Sequence, residues 1–125
     1  MRRHHLTAVL ALALTGPLAA QAAGDAGRGA DSFDANCAEC HSVAKTLKNK
    51  KGPSLYGVWG RAAGAVTGYD YSAALKASGI VWTVDKLDAY ISAPKKVVPE
   101  GKMKFDGRGD AKERADLLAF LAEQK

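Results

Sequence analysis

The sequence predicts an all-α fold of one domain. Three observations carry this prediction: apolar residues recur at helical spacing, capping residues precede several of these segments, and no segment alternates between apolar and polar residues as a strand does. The chain has 125 residues, of which 47% are hydrophobic and 25% charged. That composition is typical of a globular protein, and it excludes collagen, a multi-span membrane protein and wholesale disorder.

The N-terminus has the organisation of an export signal. Basic residues and histidines within residues 1–5 precede the apolar stretch Leu6–Leu14, and small residues follow. The stretch is shorter than the ~20 residues that a membrane-spanning helix needs. We therefore predict a secretory signal peptide over residues 1–22, cleaved to release a domain of residues 23–125 into the periplasm. An uncleaved anchor is the alternative, and we expect no stable membrane insertion.

The first helix of this domain is predicted over Asp25–Cys40. Gly29, Phe33 and Cys37 follow each other at four-residue steps and form one buried stripe, whereas charged residues occupy the other side. Residues 42–69 are rich in lysine and glycine and show no sustained period. We expect an extended loop there.

Two shorter helices are predicted in the middle of the chain. One spans Ser72–Ser78 and is closed by Gly79. The other begins with Thr83 as its cap and ends before Pro94. One face of this second helix carries three large side chains: Leu87, Tyr90 and Ile91.

A second long loop and a last helix complete the prediction. Residues 95–109 are punctuated by proline and glycine, and Asp110 with Glu113 forms a capping box at the start of the last helix. Its core residues are Leu117, Leu118 and Leu121, with Phe120 beside them. Long loops are uncommon in compact domains unless they serve a site, and a core this small needs reinforcement. We expect a large apolar cofactor in the middle of the domain.

A C-x-x-C-H motif ends the first predicted helix. Cys37, Cys40 and His41 form this motif, which is typical of c-type haem attachment. Residues three and four apart lie on one face of a helical turn. We therefore predict that both cysteines bond covalently to the haem and that His41 is one iron ligand. A chance occurrence, a thioredoxin-like site and a structural zinc site are alternatives, but the last two lack a βαβ context and a fourth ligand respectively.

Met103 is predicted as the second iron ligand. Within residues 23–125 it is the one methionine, as His41 is the one histidine. It lies in a loop between Lys102 and Lys104, where no apolar stripe would make it a core residue. Coordination by histidine and methionine leaves no open position on the iron, which suits electron transfer.

With these residues the chain resembles the class I c-type cytochromes, the short soluble electron carriers of mitochondria and bacteria. The resemblance extends over essentially all of residues 23–125. It implies the class I cytochrome c fold, in which long loops surround a covalently attached haem and the terminal helices cross. The implied contacts between those helices involve four positions: Gly29, Phe33, Leu117 and Phe120.

The resemblance also implies roles for individual residues. The Pro53 carbonyl would accept a hydrogen bond from His41. Four more positions match haem-binding residues of the family: Arg61, Tyr71 and Trp82 at a propionate, and Tyr90 near the methionine ligand. The chain departs from the family pattern at Leu75, where mitochondrial members usually have asparagine, and at Glu100-Gly101, which replaces a more typical glycine-threonine pair.

Charge is distributed unevenly along the chain. Residues 41–104 contain eleven Lys and Arg against four Asp and Glu, whereas the two end segments are acidic on balance. We expect a monomer with its positive end at the haem edge, docking transiently on acidic surfaces of redox proteins. Such partners include quinol-cytochrome c reductase, a terminal oxidase, a photosynthetic reaction centre or a periplasmic dehydrogenase. Nucleic acid is not expected as a partner, because export would remove the chain from it and no aromatic-interleaved basic groove is evident.

The function that these predictions favour is a soluble periplasmic one-electron carrier, not an enzyme. Two alternatives stay open. One is a ligand-binding or peroxidatic c-type haem protein in which Met103 dissociates readily. The other is a haem subunit of a larger oxidoreductase.

Overall fold

The computed structural model describes residues 24–125 of the chain, and the predicted signal peptide lies outside these residues. Five helices lie in the described part: α1 Ala26–Asn36, α2 Ala73–Ala77, α3 Val84–Ser92, α4 Pro94–Val97 and α5 Ala111–Ala122. Within residues 24–125 the one extended pairing is an isolated antiparallel bridge between Ala62 and Val81. The all-α prediction is confirmed.

Side-chain caps fix where the helices begin. Asp25, Ser72, Thr83 and Asp110 each accept a hydrogen bond from the backbone N–H three residues later, which satisfies an otherwise unpaired donor of the first turn. The cap at Thr83 and the cap at Asp110 are therefore where the sequence predicted them.

Three predicted details were wrong. The first helix ends at Asn36 rather than Cys40, because the chain turns at Cys37. Residues 95–109 are not one continuous loop, since α4 occupies their start: Pro94 ends α3 and also begins α4 as its first residue. The chain therefore has three middle helices instead of two.

Helices α1 and α5 pack against each other through Gly29. A Cβ at that position would lie 2.6 Å from the carbonyl carbon of Asp116 and 2.8 Å from Cβ of Phe120, so only glycine lets the helices approach this closely. The rings of Phe33 and Phe120 lie next to this contact, with centroids 5.3 Å apart. The predicted contact between the terminal helices is thus present.

A hydrogen-bonded carboxylate also joins the same two helices. Asp116 is 4% exposed and accepts from the backbone N–H of Asp25 at 2.7 Å. Arg28 donates to it through Nε at 2.8 Å and Nη2 at 3.1 Å. The side-chain hydrogen bond from Arg28 is the largest of the effects that hold the pKa of this carboxyl well below its usual range.

The hydrophobic core lies between α1, α3, α5 and the loops. Its buried members are Phe33, Val58, Trp82, Leu87, Leu117, Leu118 and Leu121. Within residues 24–125, no helix is both long enough and apolar enough to cross a bilayer.

Candidate haem site

One cavity occupies the centre of the fold. Its volume is about 400 Å³, which lies within the range of small-molecule and cofactor pockets. Apolar side chains from the loops, α3 and α5 line most of it, including Leu55, Val58, Leu87, Ile91 and Leu121. The structure brings all nine predicted site residues to this cavity: Cys37, Cys40, His41, Pro53, Arg61, Tyr71, Trp82, Tyr90 and Met103.

The C-x-x-C-H motif forms a single turn directly after α1. The backbone N–H groups of Cys40 and His41 donate to the Cys37 carbonyl at 3.0 and 2.8 Å. Cys37 and Cys40 are not joined in a disulfide, and this turn places them on the cavity wall together with the imidazole. Burial raises the pKa of the Cys37 thiol to about 11.

The imidazole of His41 is held through one nitrogen. Its Nδ1 lies 2.7 Å from the carbonyl oxygen of Pro53. Since a carbonyl only accepts, Nδ1 carries the proton and Nε2 keeps its lone pair. Burial lowers the pKa of this imidazole, which favours the neutral form that can bind a metal.

Gly52 makes room for that ring. A Cβ on Gly52 would lie 2.8 Å from Nδ1 and 2.9 Å from Nε2 of His41. At these distances any side chain at position 52 would clash with the ring. The imidazole can therefore occupy this place only because residue 52 is a glycine. The sequence predicted only an extended loop over residues 42–69, because the contact of Gly52 with the ring is a tertiary feature.

Met103 lines the cavity from a loop that the side chains of two lysines hold in place through hydrogen bonds. Lys95 Nζ donates to the carbonyl of Gly101, and Lys102 Nζ donates to the carbonyl of Asp70. Lys102 also lies 4.9 Å from the ring centroid of Tyr69, a cation–π contact. These contacts of the lysines and Tyr69 were not predicted, because lysine runs in a sequence look the same whether they are free or bonded.

Two of the remaining predicted residues are engaged in hydrogen bonds. Arg61 donates to the carbonyls of Tyr56 and Ser54 at 2.9 and 2.7 Å, and burial lowers the pKa of its guanidinium. The hydroxyl of Tyr71 accepts from the backbone N–H of Val66 at 3.0 Å.

The other two form an aromatic pair. The rings of Trp82 and Tyr90 have centroids 4.9 Å apart, and burial raises the pKa of the Tyr90 hydroxyl.

Asn49 does not line the cavity, but it joins two loops that do, and the sequence did not reveal this role. Its Nδ2 donates to the Thr67 carbonyl at 3.1 Å, and its Oδ1 accepts from the Ser54 backbone N–H at 2.9 Å. It therefore ties the loop that follows the motif to the segment that precedes Tyr71. A single asparagine among lysines gives no sequence signal for this role.

The donor set fits a covalently attached haem. Two cysteine sulfurs, one neutral imidazole with an available Nε2 and one thioether line a single apolar cavity. These are the groups that attach a haem c and ligate its iron in proteins. An all-α fold with this site defines a c-type haem protein.

The chain belongs to the cytochrome c family. The family model described as Cytochrome c matches residues 26–125. A cytochrome c of Gibberella zeae is 48% identical over 102 residues, which cover 82% of this chain and 96% of the relative. A cytochrome c of Arabidopsis thaliana is 46% identical over 101 residues, which cover 81% and 90%. Cytochrome c 2.1 of Caenorhabditis briggsae is 48% identical over 99 residues, which cover 79% and 88%.

Membership settles the cofactor and the class of activity. The chain carries haem c bound covalently through Cys37 and Cys40, and it is an electron carrier. The predicted class I cytochrome c fold is confirmed as well. The three relatives are eukaryotic proteins, so export to a periplasm stays a prediction.

Proposed function

We propose that this chain is a periplasmic one-electron carrier in which His41 and Met103 would be the two protein ligands of the haem iron. The observation that carries the proposal is the presence of both side chains in one apolar cavity, with Nε2 of His41 available. When bound, the haem supplies an iron that takes up and releases one electron. The chain makes and breaks no substrate bonds, so it is a carrier and not an enzyme.

The other residues keep the site rigid and dry. Cys37 and Cys40 anchor the cofactor, and the Pro53 carbonyl orients the imidazole through Nδ1. Leucines and aromatic rings exclude water from the cavity, which limits the rearrangement that accompanies a change of charge. As the resemblance implies, Arg61, Tyr71 and Trp82 would hold a propionate, and Tyr90 would lie near the methionine ligand; all four line the cavity.

Lysines around the cavity favour acidic partners. Lys51, Lys102 and Lys104 line the cavity itself, and Lys95 and Lys96 are exposed on α4. A positive rim of this kind steers a weak, short-lived encounter with an acidic redox protein. We expect the chain to act as a monomer in this exchange.

Carbon monoxide tests the ligand set. The ferrous haem-loaded protein should not react with carbon monoxide, because both axial positions are filled. Met103→Ala should bind it readily, whereas Lys104→Ala, a change at the next residue, should behave as the parent does. Prompt binding by the parent would reject the carrier proposal in favour of a ligand-binding or peroxidatic haem protein.

Cell fractionation tests the location. The full chain should yield a coloured periplasmic protein that lacks residues 1–22, and a chain without these residues should stay in the cytoplasm without covalent haem. A coloured protein that keeps residues 1–22 would contradict the predicted cleavage.

A further inference from the structure

The carboxylate of Glu113 joins three parts of the chain. Its Oε1 accepts from Arg108 through Nε at 3.0 Å and Nη2 at 2.9 Å, and from the hydroxyl of Ser32 at 3.0 Å. Asn36 donates to the same oxygen at 3.5 Å and to the Ser32 carbonyl at 2.9 Å. Ser32 and Asn36 belong to α1, Glu113 belongs to α5, and Arg108 lies in the segment that connects Met103 to α5.

The backbone of Arg108 is fixed as well. Its N–H donates to the Ile91 carbonyl at 2.9 Å. Its carbonyl accepts from Nη1 of Arg114 at 2.8 Å, and Arg114 is itself paired with Asp88 at 2.8 Å. The segment that follows Met103 is therefore held in place at Arg108. Residues of α3 and α5 contact Arg108 directly, and α1 contacts it through Glu113.

This position adjoins the haem cavity. Asn36 and Cys37 line the cavity at the end of α1, and Phe105 lines it between Met103 and Arg108.

We propose that Arg108 is a positioning residue for Met103: by bridging to Glu113 and α1, it fixes the far end of the 103–108 segment and keeps the thioether at the cavity. This inference rests on the proposed ligation by Met103. Arg108 is 38% exposed and Glu113 is 31% exposed at their side chains, so solvent weakens the pair. The added hydrogen bonds to Ser32 and Asn36 make it stronger than a free surface ion pair.

Imidazole competition measures this role directly. Imidazole added to the ferric haem-loaded protein displaces the thioether, and the loss of the thioether-to-iron charge-transfer band gives a dissociation constant. Arg108→Gln should raise the affinity for imidazole about 5- to 10-fold, and Glu113→Gln should raise it by a smaller factor. Arg108→Lys keeps the positive charge but loses the planar guanidinium with its two parallel donors. Its affinity for imidazole should therefore lie between that of Arg108→Gln and that of the parent.

Arg28→Gln is the matched control. It removes an arginine–carboxylate pair that also joins α1 to α5 but does not involve the Met103 segment. It should lower the unfolding midpoint and leave imidazole affinity unchanged. If Arg28→Gln raises the affinity as much as Arg108→Gln does, the role of Arg108 is general stability and the proposal is wrong.

Three further outcomes are decisive. A purely electrostatic effect would move imidazole affinity in opposite directions in Arg108→Gln and Glu113→Gln, whereas loss of positioning moves it in the same direction. An unchanged affinity in Arg108→Gln, with the thioether band present in the parent, overturns this inference alone. A parent without that band overturns both the ligation by Met103 and the role of Arg108.

Discussion

His41 Nδ1 and the carbonyl oxygen of Pro53 are 2.7 Å apart, and this hydrogen bond determines which ring nitrogen is available. Nδ1 donates its proton in a hydrogen bond to the backbone carbonyl, so Nε2 is the atom that can bind iron. Gly52 comes immediately before the acceptor and touches the same ring, so this short turn sets both the orientation and the position of the ligand.

Gly52→Ala should weaken iron ligation. The new methyl group would meet the imidazole within 2.9 Å of Nε2, so the ring must shift. We expect a lower yield of haem-loaded protein and a partly high-spin absorption spectrum. Gly109→Ala is the control, because a Cβ there meets nothing within 4 Å. A normal low-spin spectrum and yield in Gly52→Ala would show that the ring can move without cost.

Gly29→Ala should destabilise the fold through the helix contact. The added Cβ would meet Asp116 and Phe120 closer than van der Waals contact allows, and overpacking of this kind costs about 1–3 kcal/mol. The free energy of unfolding in guanidinium chloride measures the loss. Gly27→Ala, in the exposed first turn of the same helix, should change it by less than about 1 kcal/mol. Equal effects of both changes would contradict the close contact at Gly29.

Asp116 should contribute to stability in a pH-dependent way. Because its pKa is lowered in the folded protein, chiefly by the hydrogen bond from Arg28, its contribution is present above the unfolded value of about 3.9. The contribution is lost as the pH falls toward the folded value. Asp116→Asn should therefore reduce stability near neutral pH and flatten the fall between about pH 5 and pH 2.

Denaturant midpoints across that pH range are the measurement. Asp31→Asn, at an exposed carboxylate on α1, should leave the curve close to that of the parent. A curve for Asp116→Asn that runs parallel to the parent curve would contradict the role of the ionised carboxylate.

Lys96→Glu should slow electron transfer to an acidic partner. Lys96 is exposed on α4, near the loop that carries Met103. We expect the second-order rate at low salt to fall roughly 3- to 10-fold, with a weaker dependence on salt. Stopped-flow mixing with an acidic redox protein measures this rate.

Lys125→Glu changes the net charge equally at the end of the chain and should have a smaller effect. Equal slowing by the two changes would mean that total charge, and not the α4 surface, controls the encounter.

Local signals in the sequence were sufficient for most of the helices. Thr83 and Asp110 cap α3 and α5 as predicted, because a cap depends on residues three positions apart. Only one of the two hydrogen bonds of the capping box predicted at Asp110 and Glu113 is present. Glu113 N–H donates to Asp110 at 2.8 Å, but the carboxylate of Glu113 binds Arg108 and Ser32, partners that only the tertiary fold supplies.

The site residues also divide into those that a local motif predicts and those whose partners lie far away in the sequence. The turn at Cys37–His41 is a local motif, and Met103 could be selected because no other methionine remains in residues 23–125. The bridge at Asn49 and the contacts of Lys102 could not be predicted, since they join residues 18 and 32 positions apart. Polar side chains on loops give no sign of which distant carbonyl they will meet.

The partner of α1 is α5, which lies far along the chain from it. Until α5 packs on α1, the Gly29 face of α1 lacks this contact, and closing so long a stretch of chain is slow. The pairing of α1 with α5 is thus a long-range contact, and we expect it to form late in folding.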